Sequence, residues 1–325
     1  VGKVALAGTL LWYLGDRGFL SFEQTLKALA RPTHVATGFA LIFCSAVIAS
    51  SRWQWLLKTQ AIRISWLRAL QLTLIGNFFN LALPGSVTGD LVKGYYAGQE
   101  SSGRGTRAFG TILFDRILGM SGLIIVGAAA SFLAVPGTEG NASYAALCWS
   151  VRTVAVGVVG FYAYILLVNP ERDPFLALSR VVERRVPRVA SLREVYEGVR
   201  YYHAHPATVA GALAVSTVNH MVVGGAFYAF ALALGEGWMT LTTVYAVFAA
   251  GLVITIVPVA PAGVGTGNAA MAFLFNLVGS RRGGDAFTLF VMGQVLVGTV
   301  GALVYVRFKS KGGGWSPPPG TPAGE

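Results

Sequence analysis

The chain has 325 residues, of which 54% are hydrophobic and only 12% charged, with a mean hydropathy of +0.61 and a net charge of +11. Soluble domains carry about 25% charged residues, and one soluble core of this size could not hide so much apolar surface, so the composition excludes a soluble globular protein. The positive charges fall between apolar windows, which points to anionic lipid at the cytoplasmic leaflet and away from nucleic acid.

The first apolar run, Val4 to Leu14, is short, with one Lys and no Met ahead of it. A signal peptide and a shortened first membrane helix both fit, and the shortened helix is the expectation. A mixed-charge connector, Asp16 to Arg31, leads to Pro32, which opens a second span. No formally charged residue occurs for 20 positions between Arg31 and Arg52. A helix needs about 20 apolar residues to cross the hydrocarbon. Ser51-Arg52-Trp53-Gln54-Trp55 then sets an Arg and two Trp where the headgroup level is expected. Lys58, Arg63 and Arg68 follow with no acid among them.

Leu70 to Leu83 is apolar and breaks at Pro84-Gly85, after which come Asp90, Lys93, Arg104 and Arg107. Ile112–Val135 and Ala142–Val168 are the next spans, joined by a connector that holds Glu139 and no Lys or Arg. Asn169 to His205 carries seven Arg against five acids. Val189, Leu192, Val195, Val199 and Tyr202 recur there at helical spacing, which predicts an amphipathic helix on the membrane surface. Thr208–Leu234 is another span; Leu241–Val257 is apolar and breaks at Pro258 and Pro261; Ala269–Val278 resumes the helix; Phe287–Val306 is the last span. The Gly- and Pro-rich tail over 310–325 is expected to be disordered.

Backbone amides cannot stay unpaired in hydrocarbon, so these runs are helices; a β-barrel would show short alternating segments instead. The fold class is an all-α polytopic membrane protein with six crossing helices and two Pro/Gly-broken re-entrant hairpins in an inverted repeat. Residues 1–309 form one integral membrane domain, with inverted halves at about 34–168 and 206–308 and a cytoplasmic amphipathic segment over 170–205 between them. The distribution of basic residues predicts a multi-pass protein of the cell membrane with both termini cytoplasmic. It leaves Arg281 and Arg282 outside, against the positive-inside tendency.

The two breaks resemble each other. The first reads Pro84-Gly85-Ser86-Val87-Thr88-Gly89-Asp90; the second reads Pro261-Ala262-Gly263-Val264-Gly265-Thr266-Gly267-Asn268. Pro ends a helix, and Gly tolerates close backbone approach. Paired interruptions in inverted halves point to a transporter's central site, where helix starts would offer free amides to an anionic group. Ordinary kinks or surface turns are the bland alternative. Asp90 and Lys93 are three apart and can pair along one helix; Asp115-Arg116 opens a span. One reading has Lys93 and Arg116 meeting a phosphate while Asp90 and Asp115 hold them; the other has structural salt bridges and snorkelling at the surface. Arg152 either snorkels outward or contributes to an outer anion site. His220, beside Asn219, makes a helix-to-helix hydrogen bond or relays protons, and the hydrogen bond is the expectation. Cys44 and Cys148 lie in apolar runs without metal spacing and are expected to be buried, inert thiols. No metal-ligand spacing, phosphate loop or G-x-S-x-G occurs, so no cofactor is expected.

The run Gly76-Asn77-Phe78-Phe79-Asn80 through Leu83-Pro84-Gly85-Ser86-Val87-Thr88-Gly89-Asp90-Leu91-Val92-Lys93 resembles the transmembrane domain of lysylphosphatidylglycerol synthases, a domain that also defines stand-alone flippase-like membrane proteins. Asp115-Arg116-Ile117-Leu118-Gly119, Ser51-Arg52-Trp53 and Pro258-x-x-Pro261-x-Gly263-x-Gly265 match the same family, and the likeness spans about residues 4 to 308. The chain departs from it in three places: Thr88-Gly89-Asp90 stands for Gly-Gly-Asp, Lys93 for a frequent Arg, and Asn268 for a frequent acid. Lys lacks the bidentate phosphate geometry of Arg, so the departures bear on the substrate more than on the fold.

The synthases also carry a soluble aminoacyl-transfer domain for which these residues leave no room, so the resemblance implies the lipid-handling half and no synthase activity. The expected function is a lipid transporter or flippase that takes an anionic or phosphate-bearing headgroup between the two hairpins. The expected site residues are Asn77, Asn80, Pro84, Gly85, Thr88, Gly89, Asp90, Lys93, Asp115, Arg116, Pro261, Gly263, Gly265, Thr266 and Asn268. The partners implied are a membrane phospholipid or other lipid-phosphate and a membrane-bound lipid-modifying enzyme. The rival readings are a non-transporting partner that presents lipid to such an enzyme, and an intramembrane headgroup enzyme, which lacks a convincing nucleophile–base pair.

Overall fold

The computed structural model describes residues 16, 22–82, 88–101, 105–133, 135–183, 189–255 and 263–310, and every regular element among them is helical. In chain order these are α1 (Phe22–Leu29), α2 (Pro32–Thr59), α3 (Trp66–Ala82), α4 (Thr88–Gln99), α5 (Gly105–Ala130) and α6 (Ala142–Leu167). Two surface helices follow, α7 (Pro174–Glu183) and α8 (Val189–Arg200). The chain closes with α9 (Pro206–Ala233), α10 (Leu241–Thr255), α11 (Thr266–Leu277) and α12 (Gly283–Ser310).

Five helices are long and apolar enough to cross a membrane: α2, α5, α6, α9 and α12. The sixth expected span, Val4 to Leu14, lies outside the described residues, as do the tail over 311–325 and both Pro-containing breaks, 83–87 and 256–262. The helix boundaries follow from local chemistry. Pro32 and Pro206 sit in the first turns of α2 and α9, where a missing N–H costs nothing. Asn141 caps α6 by accepting from the Ser143 and Tyr144 amides, both at 3.1 Å.

Helices α2 and α9 run antiparallel down the middle. Arg31, before α2, donates to the Leu232 and Ala233 carbonyls at the C-terminus of α9, where a cation also meets the negative end of the helix dipole. Further along, Phe39 stacks edge-on against Phe230, and Arg52 bonds Ser216. The helices α3 and α4 form an antiparallel pair: Asn80 meets Gly89 at one end, and Arg68 donates to Glu100 at 2.7 Å at the other. On the other side α10 packs on α11 and α11 on α12, while α3 packs on α12 and α5 on α10. Most of the apolar core lies where α2, α5, α9, α10, α11 and α12 meet, around Phe227, Phe248, Phe275 and Phe287.

In the 170–205 segment, part of the apolar face that the sequence offers to the membrane packs on protein. Val199 and Tyr202 do not face lipid; they are buried at 2% and 0% exposure beneath α8. Tyr202 stacks on Phe114 of α5 at 4.3 Å between centroids and donates to the Leu56 carbonyl. The segment is therefore docked on protein. Its anchor is Asp173, which caps α7 through the Phe175 and Leu176 amides, accepts from the Tyr164 and Tyr196 hydroxyls, and stands 2.8 Å from Arg200 Nε. Arg200 donates in turn to the Ile165 and Val168 carbonyls at the end of α6. The cysteines divide: Cys148 is buried as expected, whereas Cys44 is exposed on α2.

Candidate functional site

The charged side chains of three helices converge inside the bundle. Arg52 sits more than a turn before the end of α2, so its long stem points inward and only 5% of the residue is exposed. Its Nε donates to Asp115 Oδ1 at 2.8 Å, its Nη2 to the Asp115 carbonyl at 3.2 Å, and its Nη1 to Ser216 Oγ of α9 at 2.7 Å. Arg52 is thus turned into the protein, as is Trp53, which is fully buried; Trp55 is the one that reaches the protein surface.

Lys93 of α4 approaches the same carboxylate. Its Nζ lies 4.0 Å from Asp115 Oδ2 and 3.8 Å above the Trp53 ring, a stacked cation–π contact that offsets part of the ammonium's desolvation. Trp53 is itself fixed by its Nε1, which donates to Thr111 Oγ1 at 3.1 Å. Next to this group, Arg116 pairs with Asp90 of α4. The acids therefore do not hold their sequence neighbours: Asp90 holds Arg116, and Asp115 holds Arg52 and Lys93. The cross-pairing ties α4 to α5 and α5 to α2. Lys93 is only 6% exposed, whereas the Arg116 side chain is 37% exposed, so Arg116 is the most accessible cation of the group.

Close helix contact makes this convergence geometrically available. A Cβ on Gly89 would stand 1.9 Å from the Gly76 carbonyl oxygen, so α3 and α4 touch backbone to backbone there. Asn80 Oδ1 accepts from the Gly89 amide at 2.8 Å. The second break has a counterpart: Asn268 Oδ1 accepts from the Gly265 amide at 3.0 Å, and its Nδ2 donates to the Gly284 carbonyl and to Thr288 Oγ1 of α12, both at 2.9 Å. Gly263 and Gly265 take φ of +70° and +84°, a conformation that excludes most side chains, and Thr266 Oγ1 donates to the Gly263 carbonyl. At each break one amide near the helix start is met by an Asn side chain.

The expected site residues therefore fall into two groups. Asn80, Thr88, Gly89, Asp90, Lys93, Asp115 and Arg116 gather at the α3–α4 end against α2 and α5, with Asn77 half-buried one turn back on α3. Gly263, Gly265, Thr266 and Asn268 gather at the start of α11 against α12. Pro84, Gly85 and Pro261 lie outside the described residues. The sequence reading missed Arg52 as the centre of the first group, together with Ser216. The absence of any Gly or Pro between Arg52 and Thr59 lets the helix run on, but nothing local signals the inward turn of Arg52.

Two other polar residues settle as follows. Arg152 of α6 donates to Ser131 Oγ at 2.9 Å and to the Ser131 carbonyl, just past the end of α5, and it lies 4.1 Å over Phe132. His220 of α9 lies beside the Gly119 backbone of α5, and its Nδ1 is buried without a hydrogen-bond partner among the described residues. Among the described residues no three His, Cys, Asp or Glu side chains are grouped so that they could hold a metal ion.

UPF0104 membrane protein PH1989 of Pyrococcus horikoshii is 32% identical over 126 residues, a stretch that is 38% of this chain and 36% of that protein. The match thus spans just over a third of the relative's length. No solved structure matches the chain. The family model described as the lysylphosphatidylglycerol synthase TM region matches residues 1–309, and the chain belongs to that family.

Proposed function

We propose that this protein binds a phosphate-bearing lipid headgroup and carries it across the bilayer between two inverted halves. The observation that carries the reading is the buried cluster of Arg52, Lys93 and Asp115 with the Asp90–Arg116 pair at its edge. An ionised side chain at membrane depth costs about 2.5–3.5 kcal/mol on insertion scales, so such groups persist where they meet substrate or each other. Here three cations face two carboxylates, an excess of one positive charge suited to an anion. A phosphate oxygen can replace Asp90 on Arg116 with the same charge-assisted geometry. The family description, a lipid-synthase TM region, supports a lipid as the ligand.

The halves in this reading are α2–α5 and α9–α12. Exchanging α2 with α9, α3 with α10, α4 with α11 and α5 with α12 maps each packed pair onto another packed pair: α3–α12 becomes α10–α5, α4–α5 becomes α11–α12, and α2–α12 becomes α9–α5. Since α2 and α9 are antiparallel, the relating axis lies across the helices and the second half is inverted, as in many secondary transporters. The pairs α3–α4 and α10–α11 are then re-entrant hairpins, and the 170–205 side is cytoplasmic with both termini. The test is headgroup movement in proteoliposomes containing labelled phospholipids. Movement that is lost in Arg116→Ala and Asp90→Ala supports the reading. Movement unchanged in both variants removes the site assignment, and no movement of any anionic or zwitterionic phospholipid favours a protein that only presents lipid to an enzyme.

A further inference from the structure

A second cleft, separate from the charged cluster, opens where the surface helices meet the start of α5. It measures about 930 Å³, within the range of small-ligand sites. Its walls come from four places: Gln60 at the end of α2, Arg107 on the first turn of α5, Glu171 in the turn after α6, and Glu194, Glu197 and His203 on and after α8. The cleft exists because α5 and α8 cross at two glycines, a Cβ on Gly110 standing 3.2 Å from Gly198 Cα, and then diverge.

The unused valences in this cleft are mostly acceptors. Gln60 is 2% exposed; its Nε2 donates to the Gly198 carbonyl at 2.9 Å, which leaves Oε1 buried and unpartnered among the described residues. A buried acceptor without a donor is unfavourable and favours a ligand that brings one. His203 Nδ1 lies 3.2 Å from the Ile165 carbonyl; that oxygen can only accept, so Nδ1 carries the proton and Nε2 is an acceptor in the neutral ring. Glu171 and Glu194 pair with no cation among the described residues, while Glu197 stands 3.6 Å from Arg193. Arg200, on the cleft floor, is already committed to Asp173. Among the described lining residues, three carboxylates, one neutral acceptor and one buried amide oxygen face Arg107, the cation there that is not committed to Asp173.

We propose that this cleft binds an organic cation bearing a primary ammonium group, held by Glu171, Glu194 and Glu197 at the rim and by Gln60 Oε1 and His203 Nε2 deeper in. An ammonium supplies three donors, which matches the acceptor excess. The same chemistry is carried by a free diamine or by the ethanolamine headgroup of a lipid.

The experiment is calorimetric titration of the full chain in detergent with cadaverine, with N,N′-diacetylcadaverine as the neutral control, beside retention of the chain's signal in nanodiscs of phosphatidylethanolamine or phosphatidylcholine. Saturable cadaverine binding that weakens about three- to tenfold in E194Q/E197Q and tightens in Arg107→Gln supports the proposal with a free amine as ligand. The same pattern seen only with ethanolamine lipid supports it with the headgroup as ligand. The opposite response of Arg107→Gln separates loss of the site from loss of the fold. No saturable binding to either probe, equal binding of the diacetylated control, or binding indifferent to these substitutions overturns it.

Discussion

Asp115 joins two cations that come from different helices: Oδ1 accepts from Arg52 Nε at 2.8 Å, and Oδ2 lies 4.0 Å from Lys93 Nζ. Removing the acid strands both cations, while removing Arg52 leaves Asp115 with Lys93. Breaking a buried pair costs about 3–5 kcal/mol. Asp115→Asn should therefore fall at or above that range, and Arg52→Met below it. Thermal melting of the two variants in one detergent checks the order, and a larger loss for Arg52→Met would show that Lys93 takes no share of Asp115.

The Asp90–Arg116 pair should behave in the opposite way. Its side chains are 18% and 37% exposed, so its contribution to stability is small, about 0.2–1 kcal/mol. Arg116→Ala should leave melting nearly unchanged yet abolish lipid movement in proteoliposomes. Arg116→Lys should recover only part of it, because an ammonium cannot grip a phosphate through two parallel N–H groups. A melting loss as large as that of Asp115→Asn would make this pair a structural tie.

Gly89 has no room for a side chain. The nearest atom to an added Cβ is backbone, the Gly76 carbonyl oxygen at 1.9 Å, and the next side chain is Asn80, whose Oδ1 caps the Gly89 amide. Gly89→Ala must part α3 from α4, with an overpacking cost of about 1–3 kcal/mol. The same movement should pull Lys93 off Trp53. Tryptophan emission, read with melting, should shift in this variant, and an unchanged spectrum at wild-type stability would contradict the close crossing.

Much of this was legible from residue order alone. Charge-free windows locate α2, α5, α6, α9 and α12, because hydrocarbon admits only paired backbone and few charges. The likeness of the segments after Pro84 and Pro261 has a counterpart in two matching contacts, Asn80 with the Gly89 amide and Asn268 with the Gly265 amide. What residue order does not give is partner choice. Asp90 and Lys93 sit at helical spacing, and nothing local says that Asp90 prefers Arg116, 26 residues on. That preference comes from the α4–α5 packing, which depends on Gly76 and Gly89 across a different helix pair. Arg52 was obscured for a similar reason: an Arg-Trp pair suits a headgroup interface, and nothing local says that Arg52 turns inward to Asp115 and Ser216.

The surface segment offers a pH test. Asp173 is 1% exposed, and burial alone would raise its carboxyl. Hydrogen bonds from the Tyr164 hydroxyl, the Leu176 amide, the Tyr196 hydroxyl and the Phe175 amide outweigh that and hold it below the ordinary carboxylate range. A lowered folded-state value means the ionised form binds its surroundings better in the folded protein. The stabilisation is then complete above the unfolded carboxylate value of about 3.9 and is lost as pH falls through the lower folded value. Near neutral pH the segment should stay docked. In strong acid Asp173 takes a proton, Arg200 loses its counter-ion, and α7 loses its cap. Hydrogen exchange over 174–200 should therefore quicken below about pH 4 before exchange in α9 does. Asp173→Asn, which keeps one acceptor oxygen and removes the charge, should show the quickened exchange already at pH 7. If the variant matches the wild type at pH 7, the Asp173–Arg200 pair does not anchor the segment.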